Sequence, residues 1–181
     1  MTSSLQTEQH GVTEPDTGFF VGSAAWKDSH PDCLLICCSD HRYEGSVREL
    51  ANHLGFSHPH VIQFPGGASL VAPLAATLGF LPKAIETLVE RAVTMKGFTN
   101  IVIVGHQDCG AYKESSKPII DRALKFLTRG KSVHDLQLEH LLKAARQIKL
   151  ASRNASVKVF FAEIVGDGEQ HIKFSEVPMK K

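Results

Sequence analysis

The chain has 181 residues, of which 43% are hydrophobic and 22% are charged, and its formal net charge is +1. This length suits a single domain that buries about 70% of its unfolded surface, and the near-neutral charge gives no indication of a nucleic-acid or membrane partner. No segment approaches the roughly 18 apolar residues of a membrane span and the polar start is unlike a signal peptide, so we expect a cytoplasmic protein.

The N-terminal segment, residues 1 to 30, is polar and shows no sustained periodicity apart from the apolar patch Phe19–Val21. It is predicted to form an arm or a partly disordered leader, ahead of a globular domain over residues 31 to 181. Because neighbouring phenylalanines commonly mark contact surfaces, the patch either docks on a second subunit or covers the core of its own domain.

From residue 31 onward, apolar runs typical of strands alternate with stretches of helical periodicity. Strands are predicted at 33–38, 60–64, 101–104, 157–165 and 171–174, and helices at 46–54, 83–95, around 118–127 and at 138–148. The short, continuous runs at 33–38 and 101–104 indicate strands that are covered on both faces. The predicted fold class is therefore α/β, with a mostly parallel central β-sheet flanked by helices.

Two short motifs follow two of the predicted strands. Cys38–Arg42 reads Cys-Ser-Asp-His-Arg at the end of the first strand, and Gly105–Gly110 reads Gly-His-Gln-Asp-Cys-Gly at the end of the third. Ligand sites of parallel sheets gather at the carboxyl ends of strands, so the fold could bring two thiolates and an imidazole together. This donor set favours zinc, and three protein ligands leave a position for water or substrate.

The choice among the four cysteines follows from strand alternation. Cys37 and Cys38 must point to opposite faces of an extended strand, so only one of them can serve the site. Cys38, next to the polar loop, is the better candidate, whereas Cys33 and Cys37 are predicted to be buried as small hydrophobic residues. A core cysteine, a redox pair between Cys38 and Cys109, and an iron–sulfur cluster are the alternatives, although such clusters usually need more thiolates.

With both motifs, the sequence resembles the β-class carbonic anhydrases. The family has a Cys-x-Asp-x-Arg segment on its first strand and a Gly-His-x-x-Cys-Gly segment after a later one, and the likeness extends over about residues 30 to 170. The resemblance implies that Cys38, His106 and Cys109 bind Zn²⁺ and that Asp40 and Arg42 form the catalytic dyad. It implies reversible hydration of carbon dioxide to bicarbonate by zinc-bound hydroxide, within a homodimer or a higher homo-oligomer.

The same resemblance implies two states of the site. Asp40 either orients the zinc-bound water while Arg42 holds its carboxylate, or swings onto zinc as a fourth ligand and closes the site. An ordinary surface ion pair between Asp40 and Arg42 is the alternative to a catalytic dyad. His41 is either a proton shuttle or a solvated loop residue.

The sequence departs from the family around the expected substrate pocket. Ser29 stands where many members have a glutamine, and Gln63, Phe64, Gly66 and Gly67 lie in a segment that replaces the usual Arg-Asn-Ala-Gly-Gly turn. These changes leave the proposed ligands untouched but alter the pocket. Two other functions therefore stay open: hydrolysis of a related small molecule such as carbonyl sulfide or carbon disulfide, and a catalytically silent zinc-binding protein that acts through protein contacts.

Overall fold

The computed structural model describes residues 23, 30–70, 87, 90–94, 96–112, 132–152 and 154–179. Its strands are β1 (Cys33–Cys38), β2 (Pro59–Phe64), β3 (Asn100–His106), β4 (Ser156–Val165) and β5 (His171–Glu176). The structure also has two long helices, α1 (His41–His53) and α2 (Val133–Ala151), and two short 3₁₀ segments, Gly67–Leu70 and Gly110–Tyr112.

The strands form one sheet in the order β2-β1-β3-β4-β5. β1 pairs in parallel with both β2 and β3, β3 pairs in parallel with β4, and β5 returns antiparallel along β4. The predicted α/β fold with a mostly parallel sheet and flanking helices is confirmed. Because β1 and β3 are parallel neighbours, their carboxyl ends lie side by side at one edge of the sheet.

The apolar runs form strands because both of their faces are covered. Alternate residues Leu34 and Ile36 of β1 pack in a cluster with Leu141 of α2. The intervening Leu35 and the α1 residue Val47 belong to the cluster on the other face of the sheet. Burial of aliphatic side chains on both sides gives the central strands their continuous hydrophobic sequence.

Helix α1 begins at His41, five residues before its predicted start at residue 46. The helix starts early because Asp40 caps it: the Asp40 side chain accepts a hydrogen bond from the backbone N–H of Arg42. Ser132 caps α2 in the same way, by accepting from the N–H of Asp135, and this helix also extends beyond the predicted 138–148. Polar first turns lack the apolar periodicity on which the sequence prediction relied.

Several predictions fall outside the described residues: nearly all of the arm at 1–30, most of the helix at 83–95 and the helix around 118–127. Within the second of these, residues 90–94 are helical. In the described part of the chain, we find no helical segment with the length and hydropathy that a membrane span requires.

Candidate metal centre

The carboxyl ends of β1 and β3 bring three ligand-type side chains together. Cys38 is the last residue of β1, His106 is the last residue of β3, and Cys109 follows in the connecting loop. Cys38 Sγ, Cys109 Sγ and an imidazole nitrogen of His106 all lie within 4.8 Å of one another. The sequence placed His106 in the loop after the strand, whereas β3 extends to include it.

The spacing of the two sulfur atoms fits a tetrahedral metal. Cys38 Sγ and Cys109 Sγ are 3.9 Å apart. Two thiolates bound at about 2.3 Å to one tetrahedral zinc ion lie about 3.8 Å apart. The two residues are free thiols, so the same pair of atoms can bind a metal without rearrangement of a disulfide.

Backbone N–H groups donate hydrogen bonds to the sulfur atoms of both Cys38 and Cys109. Cys38 Sγ accepts hydrogen bonds from the backbone N–H groups of Asp40 and of Gly66, the latter at 3.3 Å, and Cys109 Sγ accepts one from Ala111. Donors of this kind stabilise thiolates and partly neutralise the charge that two sulfur ligands would place on a metal.

The thiols of Cys38 and Cys109 are hydrogen-bonded to each other, and this contact shifts their pKa values in opposite directions. The hydrogen bond from Cys109 lowers the pKa of Cys38 to about 4, with help from His106 and the backbone donors, so Cys38 is the more acidic thiol of the pair. The hydrogen bond to Cys38 and burial both raise the pKa of Cys109. A thiolate is the form that binds metals.

The imidazole of His106 is oriented for metal binding. Its Nδ1–H donates to the backbone carbonyl oxygen of Gln107 at 2.7 Å, and a carbonyl can only accept, so Nδ1 carries the proton. Nε2 is buried and has no hydrogen-bond partner of good geometry among the described residues. An unpartnered buried nitrogen is costly, and a metal ion between it and the two sulfur atoms would satisfy it.

Asp40 and Arg42 form a bidentate pair beside the cluster. Arg42 Nη2 lies 2.6 Å from Asp40 Oδ2, and Arg42 Nε lies 3.0 Å from Asp40 Oδ1. The hydrogen bonds from Arg42 lower the pKa of Asp40 to about 2, so the carboxylate is ionised. Arg42 also reaches the second motif, with Nη1 at 3.2 Å from Asp108 Oδ2.

The turn after β2 lies against Cys38. Gly67 has a φ of +51°, and a Cβ atom at this position would come within 2.9 Å of the backbone nitrogen of Cys38. The turn can therefore approach the ligand only because residue 67 has no side chain and accepts a left-handed backbone. Together with the N–H of Gly66, this turn supports Cys38 from the β2 side.

The remaining residues that the sequence predicted for the site lie outside the cluster of three ligand-type side chains or outside the described residues. Gln63 pairs in register with Cys37 and contacts its thiol, so it lies beside the buried cysteine and not beside Cys38. Phe64 is partly buried and packs in the cluster on the α2 side of the sheet. His41 is exposed at the first position of α1, and Ser29 lies outside the described residues.

Cys33 and Cys37 are buried, as the sequence predicted, with exposed fractions of 0% and 2%. Burial raises the pKa of Cys33 to about 12 and that of Cys37 to about 11, so both thiols are protonated at neutral pH. Neither belongs to the cluster of three ligand-type side chains.

Sequence reasoning missed two contacts between the motifs. Asp108 was part of the second motif but had no assigned role, and Tyr43, whose hydroxyl donates to the Gln107 carbonyl at 3.0 Å, was not singled out. The positions of the two residues in the sequence could have indicated these contacts. Asp108 lies within the second motif, and Tyr43 directly follows the first motif, in the turn of α1 that lies close to the strand ends.

The fold and the cluster define a class of protein: an α/β protein with a candidate centre of two cysteines and one histidine at the carboxyl edge of a parallel sheet. The sequence matches no protein-family model and no curated protein. The relationship of this chain to known proteins is therefore established by comparing its fold with solved structures.

The solved structures that are similar to the chain include three carbonic anhydrases. The carbonic anhydrase of Streptococcus mutans is 17% identical, with a TM-score of 0.53 over 87% of this chain and 88% of that one. The β-carbonic anhydrase CafA of Aspergillus fumigatus is 17% identical, with a TM-score of 0.51 over 84% of this chain and 77% of that one. Isoform I of the Trichomonas vaginalis β-carbonic anhydrase is 14% identical, with a TM-score of 0.50 over 83% and 86%. The chain has the fold of the β-class carbonic anhydrases, as its motifs predicted.

Proposed function

We propose that the protein is a zinc-dependent carbonic anhydrase that hydrates carbon dioxide reversibly to bicarbonate. The observation that carries this proposal is the group of Cys38, His106 and Cys109, whose ligand atoms lie within 4.8 Å of one another in a β-carbonic anhydrase fold. Cys38 and Cys109 would bind the ion through sulfur, and His106 through Nε2.

The three ligands leave one position of a tetrahedral ion for water or substrate. Zinc in such a site supplies a Lewis acid that lowers the pKa of a coordinated water towards neutrality. The backbone N–H groups that donate to both sulfur atoms support this role, because they reduce the negative charge that two thiolates contribute.

Asp40 and Arg42 act on the attacking water in this proposal. The ionised Asp40 carboxylate would accept a hydrogen bond from the water and orient it, while the guanidinium holds the carboxylate through Nε and Nη2. This bidentate pair favours an open site, because a carboxylate held by Arg42 is kept from binding the metal. In a closed form, Arg42 would release Asp40, and the carboxylate would itself bind the metal.

The proposed substrate pocket has unequal support. Gly66 and Gly67 lie against Cys38, so they are near the centre, and Phe64 precedes them at the end of β2. The position of Gln63 beside Cys37 argues against direct contact between its side chain and substrate. Ser29 stays a prediction, as do a homodimer or higher homo-oligomer and a cytoplasmic location.

Stopped-flow measurement of carbon dioxide hydration tests the proposal. Protein loaded with one equivalent of zinc should accelerate hydration, and Cys109→Ala should bind no zinc and leave only the uncatalysed rate. Cys37→Ala, which removes a buried thiol outside the cluster, should keep both properties. The assay needs neutral and alkaline pH, because a closed site can open as pH rises.

The outcomes separate the candidate functions. Zinc binding without hydration at either pH would contradict the proposal. Release of sulfide from carbon disulfide by the same zinc-loaded protein would then favour the hydrolase. Inactivity towards both substrates would favour a zinc-binding protein that acts through protein contacts.

A further inference from the structure

One carbonyl oxygen next to the candidate centre accepts two hydrogen bonds. The backbone carbonyl of Gln107 accepts from His106 Nδ1 at 2.7 Å and from the Tyr43 hydroxyl at 3.0 Å. A carbonyl oxygen has two lone pairs, so both donors can be satisfied together. Tyr43 lies in the first turn of α1 and is 3% exposed, so this hydrogen bond is partly buried.

The peptide that carries this carbonyl is in an unfavourable conformation. Asp108, which follows it, has a φ of +58° and is the non-glycine residue with positive φ among the described residues. Rotation of the 107–108 peptide by about half a turn would return Asp108 to a negative φ, which L-residues generally prefer. The same rotation would point the carbonyl away from His106.

The other hydrogen bonds of Gln107 do not hold its carbonyl. Gln107 is tied to β4 by its own N–H, which donates to Ala162 O at 2.8 Å, and by its side-chain oxygen, which accepts from Ile164 N at 3.2 Å. Both atoms lie outside the 107–108 peptide and can stay bonded while its carbonyl turns. The Tyr43 hydroxyl holds the carbonyl itself.

Tyr43 also contacts the imidazole directly. The two ring centroids are 4.2 Å apart, with an angle of 42° between the ring planes. Burial raises the pKa of Tyr43, so the phenol keeps its proton and remains a donor. A single side chain therefore contacts the imidazole and also holds the acceptor of its Nδ1 proton.

We propose that Tyr43 is a positioning residue of the metal centre, which holds the Gln107 carbonyl so that His106 carries its proton on Nδ1 and presents Nε2 to the metal. This inference rests on the proposed function, in that it takes His106 as a zinc ligand. Groups that orient a ligating histidine typically change metal affinity by about 10- to 100-fold when they are removed.

The experiment uses the full chain with two matched substitutions. Tyr43→Phe keeps the ring against His106 and removes only the hydroxyl. Tyr112→Phe is the control, because these are the two tyrosines of the chain and the Tyr112 hydroxyl pairs with His140 at 2.9 Å. Circular dichroism establishes that each variant is folded before the comparison.

Two readouts are taken for each protein. Long-range ¹H–¹⁵N NMR of the metal-free protein at alkaline pH, where imidazoles are generally neutral, reports which nitrogen of His106 carries the proton. A chelator competition gives the zinc dissociation constant. Wild type should show the Nδ1–H tautomer, and Tyr43→Phe should show a larger share of Nε2–H and a zinc Kd that is about 10-fold higher. Tyr112→Phe should match wild type in both.

Other results overturn the inference. These are an Nε2–H tautomer in the wild type, an unchanged tautomer or Kd in Tyr43→Phe, or an equal loss of affinity in Tyr112→Phe. The tautomer is measured without zinc and without substrate, so a failure of carbon dioxide hydration would contradict the proposed function while leaving this comparison decisive for Tyr43.

Discussion

Gly67→Ala is expected to disturb the metal centre through the backbone of Cys38. The substitution places a Cβ atom 2.9 Å from the Cys38 nitrogen and 3.0 Å from the Cys37 carbonyl carbon, in a residue with a φ of +51°. Both neighbours are backbone atoms, which cannot move aside as a flexible side chain can. The end of β1, with its ligand, must shift instead.

Gly55→Ala is the matched control because it has the left-handed backbone without the clash. Its φ is +89°, and a Cβ atom there would meet nothing within 4 Å. A left-handed alanine costs about 1–2 kcal/mol, which the reduced entropy of the unfolded chain offsets by about 0.4–1 kcal/mol. Overpacking adds about 1–3 kcal/mol at residue 67 alone. We expect losses in unfolding free energy of about 1 kcal/mol for Gly55→Ala and about 2–4 kcal/mol for Gly67→Ala.

Urea unfolding of the metal-free proteins measures the stability difference, and chelator competition measures zinc affinity. Gly67→Ala should raise the zinc Kd by about 10-fold or more, the effect typical of disturbing the groups that orient a metal ligand. Gly55→Ala should leave the Kd unchanged. Equal zinc affinity in the two variants would refute the argument that the turn positions Cys38.

Two further predictions concern ionisation in the metal-free protein. Iodoacetamide at mildly acidic pH should modify Cys38 first, because its pKa is lowered to about 4, whereas those of Cys33 and Cys37 are raised to about 12 and 11. Bound zinc should block this reaction. Modification of Cys33 or Cys37 before Cys38 would contradict the assignment. Arg42 lowers the pKa of Asp40 from 3.8 to about 2, so the stability that the ionised carboxylate contributes is present above about pH 4 and is lost as pH falls towards 2. Asp40→Asn removes the charge but keeps a side chain that can cap the helix. The unfolding free energies of wild type and Asp40→Asn should therefore become more alike over that pH range. A difference that stays constant would argue against the Asp40–Arg42 pair.

The central strands and the three candidate ligands could be predicted from the sequence because each depends on local pattern. Continuous apolar runs indicated β1 and β3 as buried parallel strands, and their carboxyl ends are neighbours in any such sheet. Alternation along the first strand separated Cys38 from Cys37, and the structure places only Cys38 in the cluster.

The contacts around the ligands depend on tertiary geometry and could not be predicted in the same way. The sequence does not state that the first turn of α1 lies against the loop after β3, so neither Arg42–Asp108 nor Tyr43–Gln107 was foreseen. The register of Gln63 with Cys37 likewise depends on how β2 pairs with β1, which the sequence alone does not determine. The start of α1 was missed because a capping side chain, and not periodicity, determines it.

X-ray absorption at the zinc edge tests the central claim, that Cys38, His106 and Cys109 hold one zinc ion. The protein loaded with one equivalent of zinc should show two sulfur neighbours at about 2.3 Å and two nitrogen or oxygen neighbours at about 2.0 Å. Cys37→Ala should give the same spectrum, and Cys109→Ala should retain no zinc after the unbound metal is removed. Three or more sulfur neighbours would mean a closed site that recruits a buried thiol, and a spectrum without sulfur would place the ion elsewhere; either result would contradict the account.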